Sequence, residues 1–205
     1  MQSTESILNI CFNSSLLKYG GDLAVGAMTI ITSVMQFALL PLQGLGQGAQ
    51  PIVSFNYGAK NVPRVKAAFR LLLKISLLYS ALLWLCIMLF PDIFASIFTT
   101  DPELITFTKT ALRIYMAGIG VFGIQMACQL TFNSLGNAKA SILVAVMRKF
   151  VLLIPLIYLM PHLFPKLLPM SVYMAEPVAD VIAVSFTSVL FAFQFKKSLL
   201  QISEL

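Results

Sequence analysis

Three carboxyl groups within apolar stretches are the side chains of this sequence best suited to ion chemistry. Glu176 and Asp180 are four residues apart with Pro177 between them, so they lie on one face of a predicted helix. Ionisable groups inside a bilayer are costly and usually functional. Two neighbouring carboxylates, with a backbone carbonyl that proline leaves free, could bind a proton or a sodium ion. The alternative is that Glu176 reaches the outer interface by snorkelling.

Glu5 is the third of these acids. It lies 14 residues before Tyr19, which closes the first apolar segment. Roughly 21 Å of helix would separate the two residues, which puts Glu5 past the bilayer midplane. We therefore predict a third ion-coupling candidate at Glu5. The alternative is a solvated residue in the first turn of the chain.

Two stripes of amide side chains predict polar walls. Their members recur at helical spacing, so each stripe lies on one helix face. The first stripe is Gln43, Gln47 and Gln50, and the second is Gln125, Gln129 and Asn133. Gly44 and Gly48 accompany the first stripe as GxxxG, a pattern that allows a neighbouring helix to approach closely. We predict that both stripes line a substrate cavity; the alternative for the first is hydrogen bonding between helices.

No catalytic constellation is recognisable in the sequence. The chain has one histidine, no Walker A loop, no GxSxG motif and no cysteine–histidine cluster with metal-ligand spacing. We therefore predict that the protein is not an enzyme and holds no cofactor or metal, apart from a transported sodium ion or proton. The net charge of +6 does not indicate nucleic acid, because in a membrane protein the location of charge matters more than its sum.

The composition places these residues in a membrane. Hydrophobic residues make up 59% of the chain and charged residues 11%, against about 25% charged in a soluble domain. Apolar runs and turn signals predict an all-α polytopic membrane protein with five full transmembrane helices and one partial helix. The predicted helices are residues 2–18 (partial), 23–55, 65–90, 103–135, 138–160 and 170–196.

The distribution of lysine and arginine predicts an orientation. Ten of these 14 residues, among them Arg148 and Lys149, fall in one alternating set of connections, and four fall in the other. Because the cytoplasmic side of a membrane protein carries the excess of such residues, the loop at residues 56–66 and the C-terminus are predicted to be cytoplasmic.

Four stretches of the sequence resemble one transporter family, multidrug and toxic compound extrusion (MATE), and most closely its bacterial branch. They are GLGQGAQPIVSFNYGAKNVPRVKAAFR, KYGGDLAVGAM, FNSLGNAKASILVAVMRKFVLLIPLIYLMP and AEPVADVIA. The resemblance implies one half of a protein with twelve helices in two six-helix lobes. By the same resemblance the chain is the C-terminal lobe, with its first helix cut short and the N-terminal lobe missing.

The resemblance also implies a function, which is export of organic cations or drugs across the bacterial plasma membrane, driven by sodium ions or protons. Some members of the family carry an acid midway along the helix that corresponds to the position of Glu5. Others carry an acid where this chain offers Gln125. The expected partners are the bilayer, small amphipathic or cationic substrates, and a second lobe that transport requires.

Two alternatives to the exporter remain open. One is a lipid-intermediate flippase of the same superfamily, which would need cationic residues in its cavity, and only Arg148 offers one inside a span. The other is a membrane fragment without transport activity, because a single lobe has no opposing half to move against.

Overall fold

The computed structural model describes residues 2–203, with side chains from residue 5 to residue 201. Every regular element in this range is helical. The α-helices are α1 (Gln2–Gly58), α2 (Val62–Leu89), α3 (Pro91–Ser96), α4 (Pro102–Tyr115), α5 (Ile119–Ser134), α6 (Ala138–Val146), α7 (Ile154–Leu163), α8 (Met170–Tyr173) and α9 (Ala175–Ser203). A 3₁₀ turn at Met116–Gly118 joins α4 to α5, and a π-helical segment at Met147–Leu153 joins α6 to α7.

Within the described range, five helical stretches are long and apolar enough to cross a membrane. They are Glu5–Gly58, Val62–Leu89, Pro102–Ser134, Ala138–Leu163 and Met170–Gln201. The predicted all-α polytopic fold with five full spans is therefore confirmed. The short helix α3, which begins at Pro91, occupies the place of the apolar piece between the second and third of these stretches.

A kink at Gly21 divides α1 into two limbs. Gly21 has φ +63° and ψ −159°, a left-handed backbone conformation that glycine adopts without the steric cost of a Cβ. The limb before the kink corresponds to the predicted partial helix, and the limb after it to the first full span. The turn expected near Tyr19 is thus a sharp change of direction inside one helix. Beyond the kink, the Tyr79 hydroxyl donates to the carbonyl of Ala38, 2.8 Å away, and joins α2 to α1.

Prolines account for two interruptions that the sequence pattern did not predict. Pro177 has no N–H to donate to the carbonyl of Tyr173, and the helix predicted at 170–196 is broken there into α8 and α9. Pro155, at the start of α7, follows the π-helical segment, in which the N–H of Ile154 bonds to the carbonyl of Lys149 five residues back. A π-turn holds one residue more than an α-turn, so the side chains that follow the segment are rotated around the helix axis by about one residue.

Close helix packing occurs at different glycines from those expected. A Cβ on Gly44 or Gly48 would meet no atom within 4 Å, so no helix of the described residues packs closely on this GxxxG face. Tighter contacts lie at Gly46 of α1, where a Cβ would overlap the Leu130 side chain of α5, and at Gly123 of α5, where a Cβ would overlap the Ser76 backbone of α2. The Ser80 hydroxyl donates to the carbonyl of Gly120 at 3.0 Å in the contact between α2 and α5. The sequence pattern identifies a smooth helix face but not the helix that covers it.

The largest apolar core lies where α1, α4, α5, α7 and α9 meet. Large apolar side chains also cover the outer surface, including Phe55, Ile97 and Phe193, which are 76%, 68% and 74% exposed. A water-soluble protein rarely exposes contiguous apolar surface on this scale, whereas a bilayer solvates it. The fold therefore presents apolar side chains on both its inner and its outer faces.

Candidate functional site

A buried ion-pair cluster joins α9 to the π-helical segment. The Nε of Arg148 donates to Oδ1 of Asp180 at 2.7 Å, and its Nη2 donates to Oε1 of Glu176 at 2.6 Å. Arg148 is 7% exposed, and each of the two acids is 3% exposed. The two carboxylates lie on one helix face, as their spacing predicted. Their partner in the structure is a guanidinium of the same chain.

The burial of Glu176 excludes the snorkelling alternative, because its side chain lies inside the helix bundle and not at an interface. Buried charges require paired and hydrogen-bonded partners. The planar guanidinium of Arg148 bonds two carboxylates at once, which a lysine ammonium does with less directional fit. The cluster therefore holds α9 in a fixed register against the π-helical segment.

Neighbouring residues of the Met116–Ser134 stretch shape the cluster. A Cβ on Gly118 would come within 3.0 Å of Asp180 Cβ and 3.1 Å of Pro177 Cα, so the missing side chain makes room for α9. The Phe122 ring lies under the guanidinium of Arg148, with its centroid 4.8 Å from Cζ. A cation over an aromatic face is stabilised by the ring quadrupole.

A second ion pair lies beside this cluster. Lys149, the neighbour of Arg148 in the π-helical segment, donates to Oε1 of Glu5 in the first limb of α1. The side chain of Lys149 is 13% exposed and that of Glu5 is 59% exposed. The pair therefore has one protected and one accessible member. Together the two sites hold three carboxylates and two cations, an excess of one negative charge.

A cavity of about 800 Å³ opens beside both ion pairs. Four of the predicted amide residues line it, namely Gln43, Gln125, Gln129 and Asn133. Glu5, Lys149, Arg148 and Glu176 line it as well, together with aromatic and methionine side chains: Phe12, Phe37, Tyr115, Phe122, Met28, Met35 and Met126. A large, mostly apolar concavity with a few convergent polar groups is the usual form of a small-molecule site.

The remaining two amide residues of the first stripe lie elsewhere. Gln47 and Gln50 are exposed and do not line the cavity, although they share α1 with Gln43. Asp180 does not line the cavity either, in contrast to Glu176 and Arg148. The structure thus brings the second stripe, part of the first stripe and two of the three acids to one cavity.

Two buried acceptors in the cavity wall have no hydrogen-bond partner among the described residues. They are Oε1 of Gln125, a residue that is 2% exposed, and Oε2 of Glu176, a residue that is 3% exposed. An unmet buried acceptor costs about 1–3 kcal/mol, so native proteins rarely retain one without a purpose. Both atoms are themselves buried, so a ligand in the cavity would reach them only after these side chains move.

Sequence reasoning missed Lys149 as a cavity residue and assigned Arg148 to the cytoplasmic cations. The available signal was the position of both residues between apolar runs, in VAVMRKFVLL, within a predicted span. Two adjacent cations at such a depth indicate buried acidic partners. The distance along the chain to those partners hid the relationship, since Glu176 lies 28 residues from Arg148 and Glu5 lies 144 residues from Lys149.

Curated relatives are transporters. The chain is 28% identical over 133 residues to the FAD transporter of Shewanella oneidensis, a match that covers 65% of this chain and 29% of that protein. It is 21% identical over 158 residues to the multidrug export protein MepA of Staphylococcus haemolyticus, which covers 77% of this chain and 34% of that protein.

Solved structures of MATE transporters share the fold. The MATE multidrug transporter DinF-BH is 32% identical with a TM-score of 0.81 over 97% of this chain and 44% of that one. An inward-facing MATE transporter of the MOP superfamily is 19% identical with a TM-score of 0.87, over 95% and 45% of the two chains. The chain therefore spans less than half the length of the transporters it matches.

The family model MatE matches residues 1–159, which is more than half of the chain. This match, the shared fold and the transporter relatives agree with the resemblance of the four sequence stretches. The chain belongs to the MATE family of membrane transporters.

Proposed function

We propose that the chain is the C-terminal lobe of a cation-coupled exporter that moves organic cations or drugs out of the bacterial cell. The observation that carries the proposal is the 800 Å³ cavity, whose wall combines amide, aromatic and carboxylate side chains. The excess of one negative charge in the adjoining ion pairs favours a cationic ligand. The multidrug export protein MepA is among the curated relatives, in agreement with this substrate class.

Glu176, Asp180 and Glu5 are the proposed coupling residues. A proton or sodium ion at any of them would compete with the resident cation, Arg148 or Lys149, for the same oxygens. Ion binding would then loosen the contact between the π-helical segment and either α9 or the first limb of α1. A change of helix packing that follows ion occupancy is the link that an antiporter needs. Transport also requires a second lobe for this one to move against.

The cytoplasmic position of the C-terminus remains part of the proposal. Two of the ten cations assigned to that side, Arg148 and Lys149, form ion pairs within the bundle, so eight remain against four. The remaining excess still favours a cytoplasmic loop at residues 56–66 under the positive-inside rule.

Two other functions, and a second candidate substrate, remain as alternatives. The flippase alternative gains a second cavity cation in Lys149, but both cations already bind carboxylates, which leaves no free charge for a pyrophosphate. The likeness to the FAD transporter offers FAD as a second candidate substrate, and the same objection weighs against its phosphates. A fragment without transport activity could keep this cavity, because the missing second lobe removes the movement and not the cavity wall.

Binding of rhodamine 6G to the purified chain in detergent tests the cavity. We expect Ala145→Trp, which places an indole in the cavity wall, to weaken binding at least about tenfold by excluding the dye. Ala81→Trp adds the same side chain at an exposed position of α2 and is the matched control, with no expected change. FAD is measured in parallel. If both variants bind rhodamine 6G equally well, the cavity is not the binding site. If the wild-type chain binds FAD more tightly than rhodamine 6G, the substrate is an anion and not a cation.

A further inference from the structure

One end of the helix bundle carries a large excess of positive charge in the part of the chain that the structure describes. Eight exposed residues supply this charge, namely Lys60, Arg64, Lys66, Arg70, Lys74, Lys139, Lys196 and Lys197. A small apolar cluster brings their helices together, since Val53 of α1, Val65 of α2 and Leu199 of α9 belong to it. None of the eight forms an ion pair with a described residue. Groups outside the described chain must therefore balance their charge.

The opposite end of the bundle is different, because acids there match the cations in number. Among the described residues it holds Asp22, Asp92, Asp101 and Glu103 together with Lys18, Lys109, Arg113 and Lys166. Lys109 and Asp92 form an ion pair with each other. The three other described acids are paired with Arg148 and Lys149 beside the cavity. No described acid is thus left for the basic end.

Three of the basic residues form a ladder on one face of α2. Lys66, Arg70 and Lys74 follow one another at intervals of four residues and extend over roughly 12 Å of the helix axis. Since about 20 helical residues cross the hydrocarbon core of a bilayer, a helix that enters the core at Leu89 leaves it near Arg70. Lys74 then lies inside the core. A cation at that depth must extend toward the surface or draw an anion to itself.

Apolar side chains continue this surface from the ladder toward the middle of the span. Leu71 and Leu78 are 60% and 62% exposed, and Trp84 is 38% exposed. Trp84 follows Lys66 by 18 residues, or about five helical turns, so it lies on the same side of α2. It lies roughly 15 Å beyond Lys74, which is about half the thickness of the hydrocarbon core. Cations near the surface and apolar side chains below them match the two parts of a phospholipid.

We propose that Lys66, Arg70 and Lys74 bind the phosphate of an acidic phospholipid in the surrounding leaflet, with its acyl chains along Leu71 and Leu78. The guanidinium of Arg70 suits this role, because its N–H donors can bind two phosphate oxygens at once. A zwitterionic phospholipid carries the same phosphate, but its ammonium group cancels the charge, so it binds less tightly.

A bound acidic lipid would hold α2 at a fixed depth in the membrane. The excess of cations at one end orients a membrane protein when it inserts, whereas the lipid at the ladder would act after insertion. The proposed site is also separate from the cavity. Its presence or absence therefore does not affect the proposal for the exported substrate.

The fluorescence of Trp84 tests the site, because Trp84 is the single tryptophan of the chain. The wild-type chain is reconstituted into phosphatidylcholine vesicles that contain a small fraction of lipid brominated midway along its acyl chains. Bromine quenches tryptophan only at short range, so brominated phosphatidylglycerol and brominated phosphatidylcholine at equal mole fraction give a relative binding constant. We expect phosphatidylglycerol to bind at least about fivefold more tightly, the factor that one basic residue near an acidic lipid provides.

Removal of the ladder should abolish this preference. In the variant that combines Lys66→Gln, Arg70→Gln and Lys74→Gln, the relative binding constant should lie within about twofold of unity. If this triple variant does not reconstitute, Lys74→Gln alone takes its place and should lower the constant at least about twofold. A constant that Lys74→Gln leaves unchanged would overturn the proposal.

The matched control combines Lys60→Gln, Lys139→Gln and Lys197→Gln. It removes the same charge from the same end of the bundle but leaves the ladder intact, so its relative binding constant should equal that of the wild type. An equal fall in both triple variants would show diffuse attraction to acidic lipid and no site at the ladder. A wild-type constant within about twofold of unity would also refute the site.

Discussion

Arg148 takes the position at the acid pair that the proposed coupling ion would otherwise occupy. Its guanidinium binds Glu176 and Asp180 at 2.6–2.7 Å, and all three residues are at least nine-tenths buried. Under the proposed coupling, an ion that binds both carboxylates would therefore have to displace this resident cation. Such an exchange replaces one positive charge with another, but it moves a side chain. Movement of Arg148 is what would connect the cluster to helix packing.

The first prediction concerns Arg148 itself. Arg148→Gln leaves two buried carboxylates without a cation, and breaking a buried pair in this way costs about 3–5 kcal/mol. We expect a clear fall in the unfolding temperature of the purified chain in detergent. Arg148→Lys should recover part of the loss, because it keeps the charge but not the two-pronged geometry.

Arg70→Gln provides the comparison, since Arg70 is exposed on α2 and the same substitution there removes one positive charge from the surface. Its unfolding temperature should match the wild type within about 1 °C, as expected for a surface change of under about 0.5 kcal/mol. If Arg148→Gln were as stable as Arg70→Gln, the cluster would contribute nothing to the fold.

At the scale of helices, the sequence predicted the spans well because hydrophobic length and turn residues are local signals. The N-cap of α4 is an example: Asp101 accepts from the N–H of Glu103 at 3.0 Å, with Pro102 in the first helical position. The π-helical segment and the partner of each glycine face could not be predicted in the same way. Both depend on which helix lies opposite, and that is decided by residues far along the chain.

A glycine pair tests this difference between local pattern and tertiary contact. Gly118→Ala places a Cβ about 3 Å from Asp180 Cβ and from the backbone of Pro177, which cannot rotate away. We expect a destabilisation of about 1–3 kcal/mol, typical of overpacking, measured as a lower unfolding temperature. The same substitution should also weaken the hold of Arg148 on Asp180.

Gly44→Ala is the matched change, because a Cβ there meets nothing within 4 Å. Alanine is favoured over glycine inside a helix by about 0.5–1 kcal/mol, so this variant should be as stable as the wild type or slightly more so. A loss of stability in Gly44→Ala equal to that in Gly118→Ala would show that a second helix packs on the GxxxG face.

At the scale of the whole molecule, the first limb of α1 closes one side of the cavity. Gly21 changes the direction of the chain, and Glu5 then meets Lys149 beside the cavity. The turn near Tyr19 could be predicted from the sequence, because it depends on local spacing. The sequence could not predict Lys149 as the partner, because the ion pair exists only once the limb has folded back on the bundle.

The last prediction is that this ion pair holds the limb in place. Glu5→Lys and Lys149→Glu each set like charges against one another, whereas the double variant restores an opposite pair. We expect faster amide hydrogen exchange across residues 6–18 in each single variant and a return toward wild-type rates in the double variant. The effect should be a few-fold, because an ion pair with one exposed member contributes about 0.2–1 kcal/mol.

An exposed ion pair elsewhere in the bundle supplies the control for this experiment. Asp92→Asn breaks the Lys109–Asp92 pair, 2.9 Å long, between α3 and α4, and should leave hydrogen exchange in the limb unchanged. The competing explanation is that apolar contacts hold the limb, since Leu8 and Phe12 belong to the largest core. A double variant that exchanges as fast as either single variant would favour those contacts, because charge complementarity would then have no effect on the limb.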